Sequence, residues 1–254
     1  MEILEFGDKN NEKIILLHGL ESPYQVWNEY IEHYQEKYHI IVPILEGHNP
    51  NIKEEFTSFE ELANQLEEYI LKKYDNKVYA IYGMSMGGVL AARLWQNQRL
   101  EFSNIILESS PLISYNIFIS FFLSKIYLNL THKVQKRDQK TINKAINTIV
   151  AKDNLDEFLI LVDNITDITI INYINEIGKY KLPKNIKDKN KEIYYFYGTK
   201  ISELYARINA KYIKKYYPNS KIISFKGKGH CENSIMNPKK MIKELDKIIL
   251  NKDN

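Results

Sequence analysis

Ser85 stands in Gly83-Met84-Ser85-Met86-Gly87, where the β-branched and aromatic run Val78-Tyr79-Ala80-Ile81-Tyr82 gives way to a helical pattern. Such a segment predicts a strand, a sharp turn and a helix. A hydroxyl on so tight a turn is pushed clear of the sheet, and glycines on either side spare the neighbouring backbone a collision with a Cβ. The next N–H, on Met86, then lies at a helix N-terminus, where unpaired donors and the positive end of the helix dipole favour a developing oxyanion. This is the setting of a serine nucleophile for acyl chemistry. Two further groups of matching chemistry are His18-Gly19 near the start of the chain and Gly229-His230 near its end. Cys231 adjoins the latter, but one unmatched cysteine reads as an inert neighbour.

In combination, the turn at Ser85, His18-Gly19 and Gly229-His230 resemble the nucleophile elbow and its partners in the α/β-hydrolase family. The resemblance implies His230 as the catalytic base, carried by a Gly-rich loop that doubles back toward the serine. It implies Leu20, the residue after His18-Gly19, as a second oxyanion donor beside Met86. His18 itself reads as a structural ring that ties the loop together. Gly47-His48-Asn49 departs by one residue from the Gly-His-Gly turn common in the family, and His48 precedes the serine, which removes it as the base. The acid is where the pattern breaks. Family members usually carry Gly-x-x-Asp or Gly-x-x-Glu after the seventh strand, and here that slot holds Ile201. Two carboxylates remain: Glu203, two residues on, and Glu108, at the end of the strand beside the nucleophile strand. Glu108 is the preferred reading, with Glu203 as the alternative.

The elements that must position these groups are legible as alternating strands and helices. Residues 2–6 read as an edge strand, 13–17 and 39–45 as buried strands, 103–108 as the strand ending on Glu108, and 192–198 and 221–225 as the last two. Thr57-Ser58-Phe59-Glu60-Glu61 is an N-cap signature, and Met241, Ile242, Leu245, Ile248 and Ile249 mark a closing helix. The fold class expected is α/β, a mostly parallel sheet flanked by helices. Residues 1–111 and 191–254 form its core, and residues 112–190 form a helical lid that the family would place between strands 6 and 7. That insertion opens with an apolar run, residues 112–128, in which Asn116, Ser120 and Ser124 recur every four residues. The stripe predicts a cap helix whose apolar side, with Ile113, Ile117, Phe121 and Phe122, lines an acyl pocket. Interfacial membrane contact and a true span are the competing readings. The basic run Lys133 to Lys140 reads as a solvated connection.

Composition bounds the rest. The 254 residues, 44% hydrophobic and 26% charged, are enough for a sizeable core and argue against disorder. A formal charge of +3, scattered along the chain, does not support nucleic-acid binding. One cysteine rules out an internal disulfide, and with a start that lacks a signal-peptide pattern it makes the cytoplasm the expected compartment. The expected activity is a serine hydrolase cleaving a carboxylic ester with a hydrophobic acyl group, of the carboxylesterase or monoacylglycerol-lipase kind. Thioesterase, acyltransferase and ligand-binding pseudo-hydrolase are the alternatives. No metal or organic cofactor is implied, the partner is a small-molecule ester, and the oligomeric state stays open.

Overall fold

The computed structural model describes residues 1–52, 54–186 and 191–250. Seven strands form one sheet: β1 (Glu2–Phe6), β2 (Lys13–Leu17), β3 (His39–Ile44), β4 (Lys77–Met84), β5 (Glu101–Glu108), β6 (Glu192–Gly198) and β7 (Lys221–Phe225), in the order β1-β3-β2-β4-β5-β6-β7. Only β1 runs antiparallel, at the edge, where it pairs with β3 and is half-buried. The central strands have no polar face. In β2, Ile15 and Leu17 enter one core and Ile14 and Leu16 the other, as expected of a parallel sheet covered on both sides.

The covering helices fall into two layers. On one side lie α1 (Asn28–Tyr34) and the later closing helix; on the other lie α2 (Phe59–Lys73) and α3 (Met86–Asn97). Ser58 caps α2 by accepting from the Glu61 N–H at 3.1 Å, as the sequence signature predicts. After β5 come α4 (Ile117–Gln135), α5 (Gln139–Ala145), α6 (Leu155–Asn164) and α7 (Asp167–Lys179). After β6 follow α8 (Leu204–Tyr216), then beyond β7 α9 (Glu232–Met236) and α10 (Pro238–Ile249). α8 joins the α2–α3 layer and α10 packs against α1.

The helical insertion therefore falls between the fifth and sixth of the seven strands, not the sixth and seventh that the family's count implies. Its expected end, at residues 187–190, lies outside the described residues. Part of it has a core of its own, built on Val134, Ile142, Phe158 and Val162. α7 ties it to the main body: the Tyr173 ring stacks on Phe56 at 3.5 Å, and its hydroxyl donates to the Glu46 carbonyl at 2.9 Å.

The opening helix is turned opposite to expectation. Ser120 and Ser124 are buried, and a Cβ on Gly178 would come within 2.4 Å of the Ser120 Oγ, so α4 lies on α7 through its small polar stripe. Ser124 satisfies its hydroxyl by donating to the Ser120 carbonyl at 2.9 Å. Phe121 and Phe122 do not line a pocket; they are 63% and 65% exposed. The physical reason is close approach: small side chains let two helices meet, and phenyl rings there would hold them apart. No helix among the described residues is long and apolar enough to cross a membrane.

Candidate active site

β4 ends at Met84 and α3 begins at Met86, so Ser85 alone makes the turn, at φ 51° and ψ −114°. Such a conformation costs a non-glycine residue roughly 1–3 kcal/mol and persists only where the surroundings fix it. They do so here. The Ser85 N–H donates to the Glu108 carbonyl at 2.8 Å, anchoring the elbow to the adjacent strand. Gly87 lets α3 approach the end of β2, because a Cβ there would lie 2.3 Å from the Leu17 carbonyl oxygen.

His230 arrives from the opposite side, on the loop after β7. That loop runs against β6 at Gly198, where a Cβ would meet the Lys228 carbonyl oxygen at 2.2 Å. The imidazole Nε2 lies 2.8 Å from the Ser85 Oγ, and Nδ1 lies 2.8 Å from Glu203 Oε1. With an ionised Glu203, Nδ1–H donates to the carboxylate and Nε2 accepts from the serine hydroxyl. The Glu203 side chain is 1% exposed and the His230 side chain 38%, so the carboxylate is dry while the imidazole reaches the cleft. Burial works to raise the Glu203 pKa, but the hydrogen bond and charge of His230, a bond from the Ser109 hydroxyl and the Gly198 N–H at 3.2 Å outweigh it. The carboxyl is held below its usual range.

Glu108, the carboxylate preferred from the sequence, is turned the other way. It accepts hydrogen bonds from Tyr82 and from Ser234, the latter at 2.5 Å, and burial pushes its pKa up. The carboxylate that meets His230 is thus Glu203, delivered by a 3₁₀ turn over Ile201–Glu203 that carries the chain past the expected slot. Cys231 is buried, with its thiol pKa pushed up first by burial and then by nearby carboxylates.

The loop opposite Ser85 is held by two neutral histidines. The Leu45 N–H donates to His18 Nε2 at 3.1 Å, and His18 Nδ1–H donates to the Gly19 carbonyl at 2.9 Å. His48 repeats the pattern, accepting at Nε2 from the Glu21 N–H at 3.0 Å and donating from Nδ1 to the Glu46 carbonyl at 3.1 Å. Burial pushes His18 down to about 4 and His48 down to about 3. Gly19 faces Ser85: a Cβ on it would sit 3.6 Å from that of Ser85. Leu20 follows, on the rim of two cavities of about 160 and 90 Å³ that also share Ser85, Tyr127 and His230. The larger is lined by Leu123 of α4, Ile174 and Ile177 of α7, and Tyr205 of α8. Met86 opens α3, its side chain fully buried.

A family model described as the alpha/beta hydrolase fold matches residues 13–158. The chain belongs to this family. Its sequence is 23% identical over 220 residues to a pimeloyl-[acyl-carrier protein] methyl ester esterase of Legionella pneumophila strain Corby, covering 85% of this chain and 87% of that one. Among solved structures it is similar to an alpha/beta hydrolase family protein from Desulfitobacterium hafniense, with a TM-score of 0.79 at 20% identity, covering 98% of this chain and 100% of that one. It is also similar to a carboxylesterase of the thaumarchaeon Nitrososphaera gargenis, with a TM-score of 0.74 at 14% identity, covering 98% and 93%.

Within this hydrolase, sequence reasoning missed Ser109, which holds Glu203 from behind at a positive φ of 50°. The signal available was weak: a Ser-Ser-Pro stop immediately after β5. It also missed Glu21, whose carboxylate accepts from the Thr131 hydroxyl and so joins the loop of Leu20 to α4. Among the described residues no cluster of three or more His, Cys, Asp or Glu is arranged to hold a metal ion.

Proposed function

We propose that this chain hydrolyses a carboxylic ester through an acyl-enzyme on Ser85. The observation that carries the reading is the continuous hydrogen-bonded line from Ser85 through His230 to Glu203. In the first half-reaction His230 Nε2 takes the hydroxyl proton as Oγ attacks the carbonyl carbon. Glu203 stabilises the imidazolium and keeps its ring aligned, and the N–H groups of Leu20 and Met86 receive the oxyanion. His230 then returns the proton to the departing alcohol. In the second half-reaction water, deprotonated by the same imidazole, attacks the acyl-enzyme and frees Ser85.

The substrate class follows from the lining of the larger cavity. Leu123, Ile174 and Ile177 present alkyl surface to an acyl chain, and α4 and α7 are the part of the lid that supplies it. The curated relative cleaves a methyl ester, which agrees with a small alcohol in the smaller cavity. Ile201 in the acid's usual slot favours a pseudo-hydrolase, and Glu203 beside His230 supports the catalytic reading instead.

Reaction with a fluorophosphonate probe tests the proposal, because such a probe requires an activated serine. The wild-type chain is expected to label and to cleave a p-nitrophenyl ester. Ser85→Ala is expected to abolish labelling without unfolding, leaving at most the residual acceleration of binding and oxyanion stabilisation. A folded wild-type protein that does not label would overturn the reading.

A further inference from the structure

The outward face of α4 carries both large apolar and cationic side chains. Phe118, Phe122, Lys125, Asn129, Lys133 and Lys136 succeed one another at spacings of three and four residues and are all exposed, forming one row on the helix. Ile117 and Phe121 flank it, and Phe118 is 78% exposed. The row is graded along the axis: its first half is aromatic and aliphatic, its second half cationic, and Phe118 and Lys133 are about 20 Å apart at the rise of an α-helix. No Asp or Glu occurs in α4. The Lys125 ammonium lies over the Phe121 ring, 5.2 Å from its centroid, so the first cation already overhangs the apolar half. Beside the larger cavity, the 3₁₀ turn before α8 adds Ile201, 83% exposed, and the start of α8 adds Leu204, next to the cavity-lining Ser202 and Tyr205. Leaving this many large apolar side chains in water is unfavourable unless something covers them.

We propose that this face docks on an anionic phospholipid surface, with the phenyl rings of Phe118, Phe121 and Phe122 entering the acyl region and Lys125, Lys133 and Lys136 meeting the headgroups. Charge decides the occupant. Pairing the face with a second copy would bury Lys125 where α4 offers no carboxylate to neutralise it, whereas an anionic interface supplies phosphates along the cationic half and hydrocarbon beneath the aromatic half. The opposite side of the same helix sends Leu123 and Tyr127 into the cavity that holds Ser85, so the docked helix would lie between that cavity and the lipid.

Co-sedimentation tests the docking without using catalysis, on the full chain carrying Ser85→Ala, so that its failure and a failure of ester hydrolysis are separate results. The protein is expected to pellet with vesicles of equal parts phosphatidylglycerol and phosphatidylcholine, less with phosphatidylcholine alone, and less with both after Phe118→Ser, Phe121→Ser and Phe122→Ser are combined. Lys125→Gln, Lys133→Gln and Lys136→Gln together are expected to keep the phosphatidylcholine level but lose the anionic gain, about fivefold in bound-to-free ratio per cation at low ionic strength. With Ser85 restored, the phenylalanine variant is expected to hydrolyse a short soluble ester at the wild-type rate, which also reports that it folds. Wild-type protein that stays in the supernatant with both vesicles overturns the proposal, as does binding indifferent to either set of substitutions. Self-association abolished by the phenylalanine changes, without vesicle binding, assigns the face to a second copy and also overturns it.

Discussion

Glu203 reaches His230 from just beyond β6, and its carboxylate is pinned on the far side by Ser109 and by the Gly198 N–H. Removing its charge while keeping its shape should therefore leave substrate binding nearly intact and disable the imidazole. Glu203→Gln is expected to lower kcat by ~10³–10⁴ with little change in KM, the size of loss seen when a serine protease loses its acid. Glu108→Gln is expected to spare kcat and lower thermal stability instead, because Glu108 serves the buried Tyr82–Ser234 network. Steady-state kinetics and melting curves of the two variants separate these outcomes, and a large kcat loss confined to Glu108→Gln would restore the other assignment. The sequence made Ser85 legible because it sits between Gly83 and Gly87, which a tight turn demands, and His230 because Gly227 and Gly229 lead into it. Glu203 was harder to read because no spacing rule encodes the 3₁₀ turn that shifts it by two residues. Glu108 misled by proximity. Strand parity tells against it: Glu108 shares the face of Ile106, which packs with Tyr82 in the α1–α10 layer.

The loop from His18 to Glu21 links three elements, and its protonation chemistry gives it a pH signature. His18 and His48 are neutral in the fold, with pKa values pushed by burial to about 4 and about 3, while an unfolded histidine titrates near ~6.5. Below the unfolded value the unfolded chain binds more protons than the native one. The histidines' contribution is therefore fully present above the unfolded pKa and is lost as pH falls toward their folded values. Glu21 runs in the opposite sense. Burial, partly offset by the Thr131 hydrogen bond, pushes its carboxyl up to about 7, so the native state holds its proton where the unfolded chain has released it. Stability then falls as pH rises from the ordinary carboxyl range toward that value. Glu21→Gln, which keeps the neutral shape, is expected to flatten the alkaline side of the profile, and His48→Gln the acid side. Melting temperatures taken across the pH range check both, and an unchanged alkaline limb in Glu21→Gln would remove Glu21 from the account. The elements themselves were legible because strands buried on both faces are β-branched runs between turn residues. The orientation of α4 was not. The polar stripe of its first half, Ser120 and Ser124, is made of small side chains, which can face water or a close helix neighbour, and Gly178 on α7 is what decides between them.

At the scale of the whole molecule, the helical insertion and the core meet at the larger cavity, and on the proposed function its size sets a limit on the substrate. Leu123 comes from α4, Ile174 and Ile177 from α7, Tyr205 from α8 and Ser85 from the elbow. If an acyl chain lies there, each added methylene should contribute up to ~0.8 kcal/mol of burial until the space is full. The cavity, about 160 Å³, is close to the size that in a protein core accepts one benzene. kcat/KM for p-nitrophenyl esters is therefore expected to climb from acetate and flatten near about six carbons, the size of that ring. Ile174→Ala and Leu123→Ala should each move the plateau to longer chains, since they remove side chains from the cavity wall. Phe121→Ala and Phe122→Ala should leave it where it is, because those rings point into solvent. The two pairs of variants thus oppose the orientation of α4 observed here to the one its polar stripe implies. A profile flat from acetate upward in the wild type would mean that the cavity does not take the acyl group, and would turn the reading toward a small polar ester.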